Sequence, residues 1–481
     1  MENINKAKII ATIGPASCTE EKITELIKAG AKIFRINTSH ENPAVHKTRI
    51  EIIRKVSKGL GLHLPILLDL QGPKIRVGNL KENIELKEGT TVTLKPSLEQ
   101  EDPNIIPVDY MGICQDVRKG DKVLLDDGKL GLKVLTVTND KITAKVLYGG
   151  ILKPRKGLNI PGATASLKVI TDRDVEFIKF AVENDVDYLA LSFVRSKDDI
   201  IEARNYIHKF KGNIPIIAKI EKPQAVENLE SIVVASDGIM VARGDLGIEI
   251  SPEKVPIVQK KIIEEVNAQR KAVIVATQML ESMISDPMPT RAEASDVANA
   301  IIDGTDAVML SGETAAGKFP VEAVNMMSLI SENVEASGLY KANQYISEAK
   351  ELYDIDSQAI ATAVIRMLRE VEVSAIVAFT RSGFTGRLLA KAKPSVPIIG
   401  ISDSESVCRR LNLFWGVVPY LMKFETSLTE DFLKKLDATL VKEMSLNKGD
   451  KVIITGGLPY LGTGRTNFLR LHQIGSSITL L

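Results

Sequence analysis

Short runs of β-branched and aliphatic residues recur along the chain, and many are followed by a stretch with apolar positions at helical spacing. The runs are Lys8 to Ile13, Ala31 to Ile36, Leu64 to Asp69, Tyr188 to Phe193, Ile214 to Ile220, Gly238 to Val241, Ala272 to Ala276 and Ala307 to Leu310. Between two of them, Val255, Val258, Ile262, Ile263 and Val266 fall on one face of an expected helix. Near-continuous apolar strands alternating with helices suit a parallel sheet covered on both sides. The pattern predicts an α/β fold built on a (β/α)8 TIM barrel.

The rhythm stops between Asp69 and Tyr188. In that gap lie short alternating stretches, Ile84 to Leu86, Thr91 to Leu94, Lys122 to Leu125 and Lys141 to Leu147. Turn residues separate them at Gly89, Asp126-Asp127-Gly128, Asn139-Asp140 and Gly149-Gly150. A small β-barrel lid domain is therefore expected at residues 71–156, leaving 1–70 and 157–336 to the catalytic barrel. An insertion at the active-site end of a barrel is well placed to close over it. After Ser337 a helix-rich link leads into a second α/β rhythm, a C-terminal domain at 337–481. Its strands are expected at Ser374 to Phe379, Val396 to Ile401, Gly416 to Pro419, Lys451 to Thr455 and near Ser477.

Polar residues gather at one end of the barrel runs. Arg35 and Asn37 follow the second, Asp69 the third, Ser192 and Arg195 the fourth, Lys219 and Glu221 the fifth. Arg243 and Asp245 follow the sixth, Thr277 and Gln278 the seventh, Ser311 and Glu313 the eighth. Barrel enzymes build their sites at these strand ends. Lys219 and Glu221 are two apart and so share a face in a strand. Asp245 adds a second carboxylate beside Gly244, where backbone can approach a substrate closely. Two carboxylates with a lysine suit Mg²⁺ and an anionic, phosphorylated substrate, against the plainer reading of a structural ion pair.

Composition narrows the partners. The 481 residues carry a net charge of +1, so no global field draws nucleic acid or an anionic membrane. No apolar run reaches a membrane-spanning length, and no signal-peptide core follows Met1. The three cysteines, Cys18, Cys114 and Cys408, lack metal or disulfide spacing. The expectation is a cytoplasmic protein with small-molecule ligands. In the C-terminal region, Thr380-Arg381-Ser382-Gly383-Phe384-Thr385-Gly386 opens a helix after a strand, which reads either as an anion pocket or as an ordinary turn.

Several blocks, in order, resemble the pyruvate kinase family over essentially the whole chain. They are Thr12 to Ser17, Arg35-Ile36-Asn37-Thr38-Ser39-His40, Asp69 to Arg76, Lys219-Ile220-Glu221, Arg243 to Gly247, Ala276 to Met283, Pro289 to Glu293 and Ser311 to Gly317. The resemblance implies a barrel, a lid and a regulatory C-terminal domain, assembled as a homotetramer. It implies transfer of the phosphoryl group of phosphoenolpyruvate to ADP, giving pyruvate and ATP, the last step of glycolysis.

By that match Glu221 and Asp245 hold Mg²⁺ or Mn²⁺, and Lys219 stabilises the transferring group and the enolate. Gly244, Asp245 and Thr277 hold the substrate carboxylate. Thr277 relays a proton, and Arg35 binds the phosphoryl end. Asn37, Ser39, His40, Arg76 and Lys156 contact the nucleotide, while Asp127 approaches on lid closure. His40 also reads as a helix-start hydrogen-bonder, Lys156 as a solvated hinge lysine and Asp127 as a turn residue before glycine.

Three departures from the family pattern stand out. Thr38 replaces the usual phenylalanine of an Asn-Phe-Ser-His block, and Ala163 to Thr171 lacks a customary Leu-Pro pair. Leu70-Gln71-Gly72-Pro73-Lys74 stands where Thr-Lys-Gly-Pro-Glu is common. In most relatives a monovalent cation sits among positions matching Asn37, Ser39, Asp69 and the Leu70 carbonyl, beside that glutamate. Lys74 in its place resembles the potassium-independent branch, so K⁺ is not expected to be required. The alternatives are another metal-dependent barrel acting on pyruvate-like substrates, of aldolase or mutase type, or a catalytically silent metabolite-binding relative.

Overall fold

A computed structural model describes residues 5–162, 167–340, 355–423, 429–457 and 465–476. Eight parallel strands close into a barrel in chain order: Lys8–Thr12, Ala31–Asn37, Ile66–Asp69, Tyr188–Leu191, Ile216–Ile220, Gly238–Ala242, Ala272–Ala276 and Ala307–Leu310. The expected (β/α)8 barrel is present. Its strands are buried along almost their whole length, which is why they read as unbroken apolar runs. Each buried Ile, Leu or Val there contributes roughly 1.5–3 kcal/mol through burial.

The surrounding helices start where the sequence supplies caps. Thr290 accepts the Glu293 amide while the Glu293 side chain returns to Thr290, fixing the start of helix Arg291–Ile302. Asn42 caps helix Pro43–Gly59, with proline at its first position.

The inserted region is all β, but its hydrogen bonds do not close the expected small barrel. It forms a six-stranded sheet, in spatial order Leu158–Asn159, Lys122–Leu125, Leu130–Val137, Ile142–Tyr148, Thr91–Pro96 and Ile105–Val108. Gly150–Leu152 and Ile84–Leu86 make a separate two-stranded ribbon. Val77, Leu94, Val123, Leu132 and Ala144 belong to its own apolar core. Leu158 and Asn159 pair with Leu125 and Leu124, so the lid sheet runs past Lys156 and back to the barrel. Part of the stretch that lacks the Leu-Pro pair, residues 163–166, lies outside the described residues.

The C-terminal domain is a five-stranded sheet in the order Val417–Leu421, Ile398–Ser402, Ala375–Phe379, Lys451–Gly456 and Phe468–Gln473. Its last strand is antiparallel and lies at 468–473, whereas residue 477, where a strand was expected, falls outside the described residues. Most of the expected link (341–354) also falls outside them. This domain docks on the N-terminal ends of the barrel strands, opposite the mouth. There Arg409 donates to Asp187, Lys391 to Asp306, and Lys8 to the Val417 carbonyl. Asp187, Asp237 and Asp306 each precede a barrel strand and accept an amide of the neighbouring strand, from Ile66, Ile216 and Val273 respectively.

Candidate active site

At the C-terminal mouth, charged side chains from adjacent strands converge. Asn37 stands opposite Asp69 in the barrel ladder, and Thr12 opposite Arg35. Arg35 donates through Nε to Asp69 Oδ2 at 2.8 Å and through Nη1 to Thr12 Oγ1 at 3.1 Å. Lys219 Nζ lies 3.2 Å from Asp69 Oδ1, 3.0 Å from Glu221 Oε1 and 2.7 Å from Ser192 Oγ. Ser192 in turn donates to the Leu70 carbonyl at 2.6 Å. Asp69 and Glu221 side chains are each only 1% exposed, so these contacts operate largely out of water.

Burial alone pushes the Asp69 carboxyl upward, but the Lys219 and Arg35 charges overcome it and hold the group below the usual carboxylate range. Burial would strip Lys219 of its proton; Asp69 and Glu221 reverse that and hold its pKa above the ordinary value. Glu221 is shifted upward, by burial first and by Asp245 repulsion, against the pull of Lys219 and of the Phe193 amide. That amide donates to Glu221 Oε2 at 2.7 Å from a left-handed backbone, with φ of 56° at Phe193.

The sixth and seventh strands supply the next wall. Helix Arg243–Ile250 begins directly at the end of Gly238–Ala242. The Gly244 amide donates to Thr277 Oγ1 at 2.8 Å, and Thr277 Oγ1 donates to the Ala276 carbonyl at 2.6 Å. Thr277 and Gln278 both hold positive φ, 69° and 53°. Arg243 ties this turn down by donating to the Thr277 and Gln278 carbonyls at 2.9 and 3.0 Å and to Asp296 at 2.8 Å. Arg243 therefore serves the backbone. Glu313 likewise accepts the Leu280 and Ser311 amides at 3.1 and 2.7 Å.

Asp245 is half-buried, and among the described residues its carboxylate has no hydrogen-bond or ion-pair partner. Nor do three or more His, Cys, Asp or Glu side chains come together among them in an arrangement that could by itself hold a metal ion. Two carboxylates in electrostatic contact, Glu221 and Asp245, fit Mg²⁺, which keeps waters and takes substrate oxygens beside one or two protein carboxylates.

A cleft of about 1310 Å³ opens between lid and barrel. Gly244, Asp245 and Gln278 line its barrel side, and Lys74, Lys122 and Asp127 its lid side. Lys74 Nζ and Asp127 Oδ1 lie 3.9 and 3.6 Å from where a Cβ on Gly157 would stand. Lys74 thus faces the lid turn, with no hydrogen bond or ion pair to Asn37, Ser39 or Asp69 among the described residues.

The remaining expected residues are more scattered. Asn37 Oδ1 accepts the Ser39 amide at 3.1 Å, His40 is exposed, and its carbonyl accepts from His46 at 2.9 Å. Thr38 is buried and donates to the Asp69 carbonyl at 2.9 Å. Arg76 and Lys156 lie where the insert joins the barrel: Arg76 bridges to Gly157 and donates to the Arg155 carbonyl, while Lys156 pairs with Asp126 at 2.8 Å. Far away, Thr380 is buried, Arg381 is 3.6 Å from Asp403, Ser382 accepts the Phe384 amide at 3.4 Å, Gly383 has φ of 84°, and Thr385 meets Thr466 at 2.9 Å.

A parallel eightfold barrel with a lysine between carboxylates at its mouth and a β lid above defines a barrel enzyme for small anionic substrates. The family pattern described as pyruvate kinase, barrel domain, matches residues 4–324, and that of its alpha/beta domain matches residues 358–472. Pyruvate kinase of Staphylococcus aureus strain MRSA252 is 44% identical over 479 residues, spanning 99% of this chain and 81% of that protein. Pyruvate kinase of Staphylococcus saprophyticus is also 44% identical, over 480 residues and the same shares. The chain belongs to the pyruvate kinase family and is an enzyme of that activity.

Proposed function

We propose that this enzyme moves the phosphoryl group of phosphoenolpyruvate onto the terminal phosphate of ADP, and that Lys219 stands at the reacting centre. The observation that supports this most is the placement of Lys219 among Asp69, Ser192 and Glu221, with Asp245 and Thr277 alongside. A protonated lysine in a poorly solvated mouth stabilises the transferring phosphoryl group and the negative charge that builds on the enol oxygen as the P–O bond breaks, an effect of several kcal/mol.

Arg35 is the second cation, its guanidinium fork suited to phosphate oxygens. Glu221 and Asp245 would hold Mg²⁺ or Mn²⁺, which when bound neutralises charge on the substrate oxygens. The Gly244 and Asp245 amides and the Thr277 hydroxyl would receive the substrate carboxylate, which displaces the present Gly244 to Thr277 hydrogen bond. When the P–O bond breaks, the enolate carbon takes a proton to become pyruvate, and Thr277 would relay it through water.

The nucleotide would lie along Asn37, Ser39 and His40, bounded by Arg76 and Lys156 at the hinges, with Asp127 brought in by the lid. Lys74 would replace a monovalent cation near the phosphates, so that K⁺ is dispensable. The loop Thr380, Arg381, Ser382, Gly383 and Thr385 would take a phosphorylated effector in a homotetrameric, cytoplasmic enzyme. Among the described residues no helix is long and apolar enough to cross a membrane.

A coupled assay with phosphoenolpyruvate, ADP and Mg²⁺ tests the reaction: ATP and pyruvate should appear in equal amounts. Consumption of phosphoenolpyruvate with no ATP would point to the aldolase or mutase chemistry instead.

A further inference from the structure

Glu249 lies in the same helix as Asp245, one turn further on, and its side chain is 1% exposed. One of its oxygens, Oε1, serves two partners. Lys222 Nζ, next in sequence to Glu221, is 2.6 Å away. Asn159 Nδ2, from the lid strand Leu158–Asn159, donates to the same oxygen at 3.2 Å. Lys222 also lies over the Phe193 ring, 5.7 Å from its centroid, and it is the Phe193 amide that holds Glu221 Oε2. The carboxylate therefore joins three segments: the strand end bearing Glu221, the helix bearing Asp245, and the lid sheet whose next turn carries Asp126 and Asp127.

Glu221 and Asp245 repel each other, so something must fix their separation before a cation arrives. A buried ion pair anchored one residue from the first and four from the second does this with little freedom, because breaking it would strand a charge out of water. The second link reaches the lid. The Leu125 to Leu158 pair connects Asn159 to the Asp126-Asp127 turn, so the posture of that turn is mechanically tied to the oxygen that sets the carboxylate pair.

We propose that Glu249 is a positioning residue for the phosphoryl transfer, setting the gap between Glu221 and Asp245 through Lys222 and registering it to the lid through Asn159. This rests on Glu221 and Asp245 being the divalent-metal carboxylates. Outer partners of metal ligands typically contribute about 10–100-fold to affinity.

The test is direct titration of the full chain with Mn²⁺, followed by electron paramagnetic resonance, without substrate, alongside thermal melts and steady-state kinetics. Glu249→Gln should weaken Mn²⁺ binding by roughly 10-fold or more. Asn159→Ala, which spares the Lys222 pair, should leave Mn²⁺ affinity near the parent's. It should instead raise KM for ADP and speed hydrogen exchange across residues 122–128. If Glu249→Gln fails to fold, Lys222→Met with Glu249→Met removes both charges together and should bind Mn²⁺ as weakly as expected for the single variant. A Glu249 variant that melts earlier yet binds Mn²⁺ like the parent overturns the proposal, as does an Asn159→Ala enzyme unchanged in both KM and exchange. Should Glu221→Gln itself leave Mn²⁺ affinity untouched, the metal assignment fails instead, and the two failures are told apart.

Discussion

Lys219 Nζ sits 3.2 Å from Asp69 Oδ1, bringing a cation of the fifth barrel strand against an anion of the third. Asp69 meets Arg35 through its other oxygen, so one buried carboxylate orients both cations at the mouth. Removing it leaves two positive charges facing each other with less compensation.

Asp69 consequently carries an acid-sensitive part of the stability. Its folded pKa is lowered, so its contribution is fully present above the unfolded value of ~3.9 and is lost as pH falls from there through the lowered folded value. Asp69→Asn should cost about 3–5 kcal/mol at neutral pH. The same variant should flatten the loss of stability on acidification below pH ~4, read from urea melts at stepped pH. An Asp69→Asn variant with parental melts would show that the buried contacts are not worth what their geometry implies.

On the proposed assignment, Glu221→Gln and Asp245→Asn should each fold yet bind Mg²⁺ poorly, because each would remove a charged oxygen ligand. Calorimetric titration with Mg²⁺ beside a melting curve separates this from a structural role. Lost stability with intact Mg²⁺ affinity would make them ion-pair partners and nothing more.

Potassium gives a sharper discrimination. The parent enzyme should show near-full activity in buffer free of Na⁺ and K⁺, with a bulky ammonium salt holding ionic strength. Lys74→Glu should make activity depend on K⁺. A cation placed ~4 Å from the Lys74 ammonium would be repelled by about 4 kcal/mol at an effective dielectric near 20. The ammonium presently faces the Asp127 turn, so the substitution also reports whether lid closure carries it to the phosphates. Strong K⁺ activation of the parent would remove this role from Lys74.

The proposed effector role of the Thr380 to Thr385 loop is tested by Thr380→Ala with Ser382→Ala, which should abolish activation by phosphorylated metabolites and spare basal turnover. Substrate curves measured with a panel of such compounds decide it. If none shifts the parent's curve, the loop is a strand-to-helix turn with buried hydroxyls at Thr380 and Thr385.

The barrel was legible because its strands are buried on both faces and punctuated by charge at one end, a signal that survives without tertiary information. The lid was read only in part. Ile105–Val108 contains Pro107, which lowers strand propensity, and Gly150–Leu152 begins inside a Gly-Gly turn signal. The edge strand Phe468–Gln473 mixes Phe468, Leu469 and Leu471 with Arg470, His472 and Gln473, and only His472 is buried, so no sustained apolar run marks it. At the mouth, Lys219, Glu221, Asp245 and Thr277 could be named from their positions after strands. The Phe193 amide could not, since a positive φ at phenylalanine has no sequence signature. Glu249 was hidden because, in a short helix that also carries Arg243 and Asp245, it reads as one more solvated charge until its partners from two distant segments are seen.

The most direct measurement is the turnover of Lys219→Met with phosphoenolpyruvate, ADP and Mg²⁺, following ATP and pyruvate together. An interaction made mainly in the transition state predicts kcat lower by at least about 10³-fold, or ~4 kcal/mol, with KM for phosphoenolpyruvate little changed. A variant that keeps its kcat and merely raises KM would contradict the place given to Lys219 at the reacting centre.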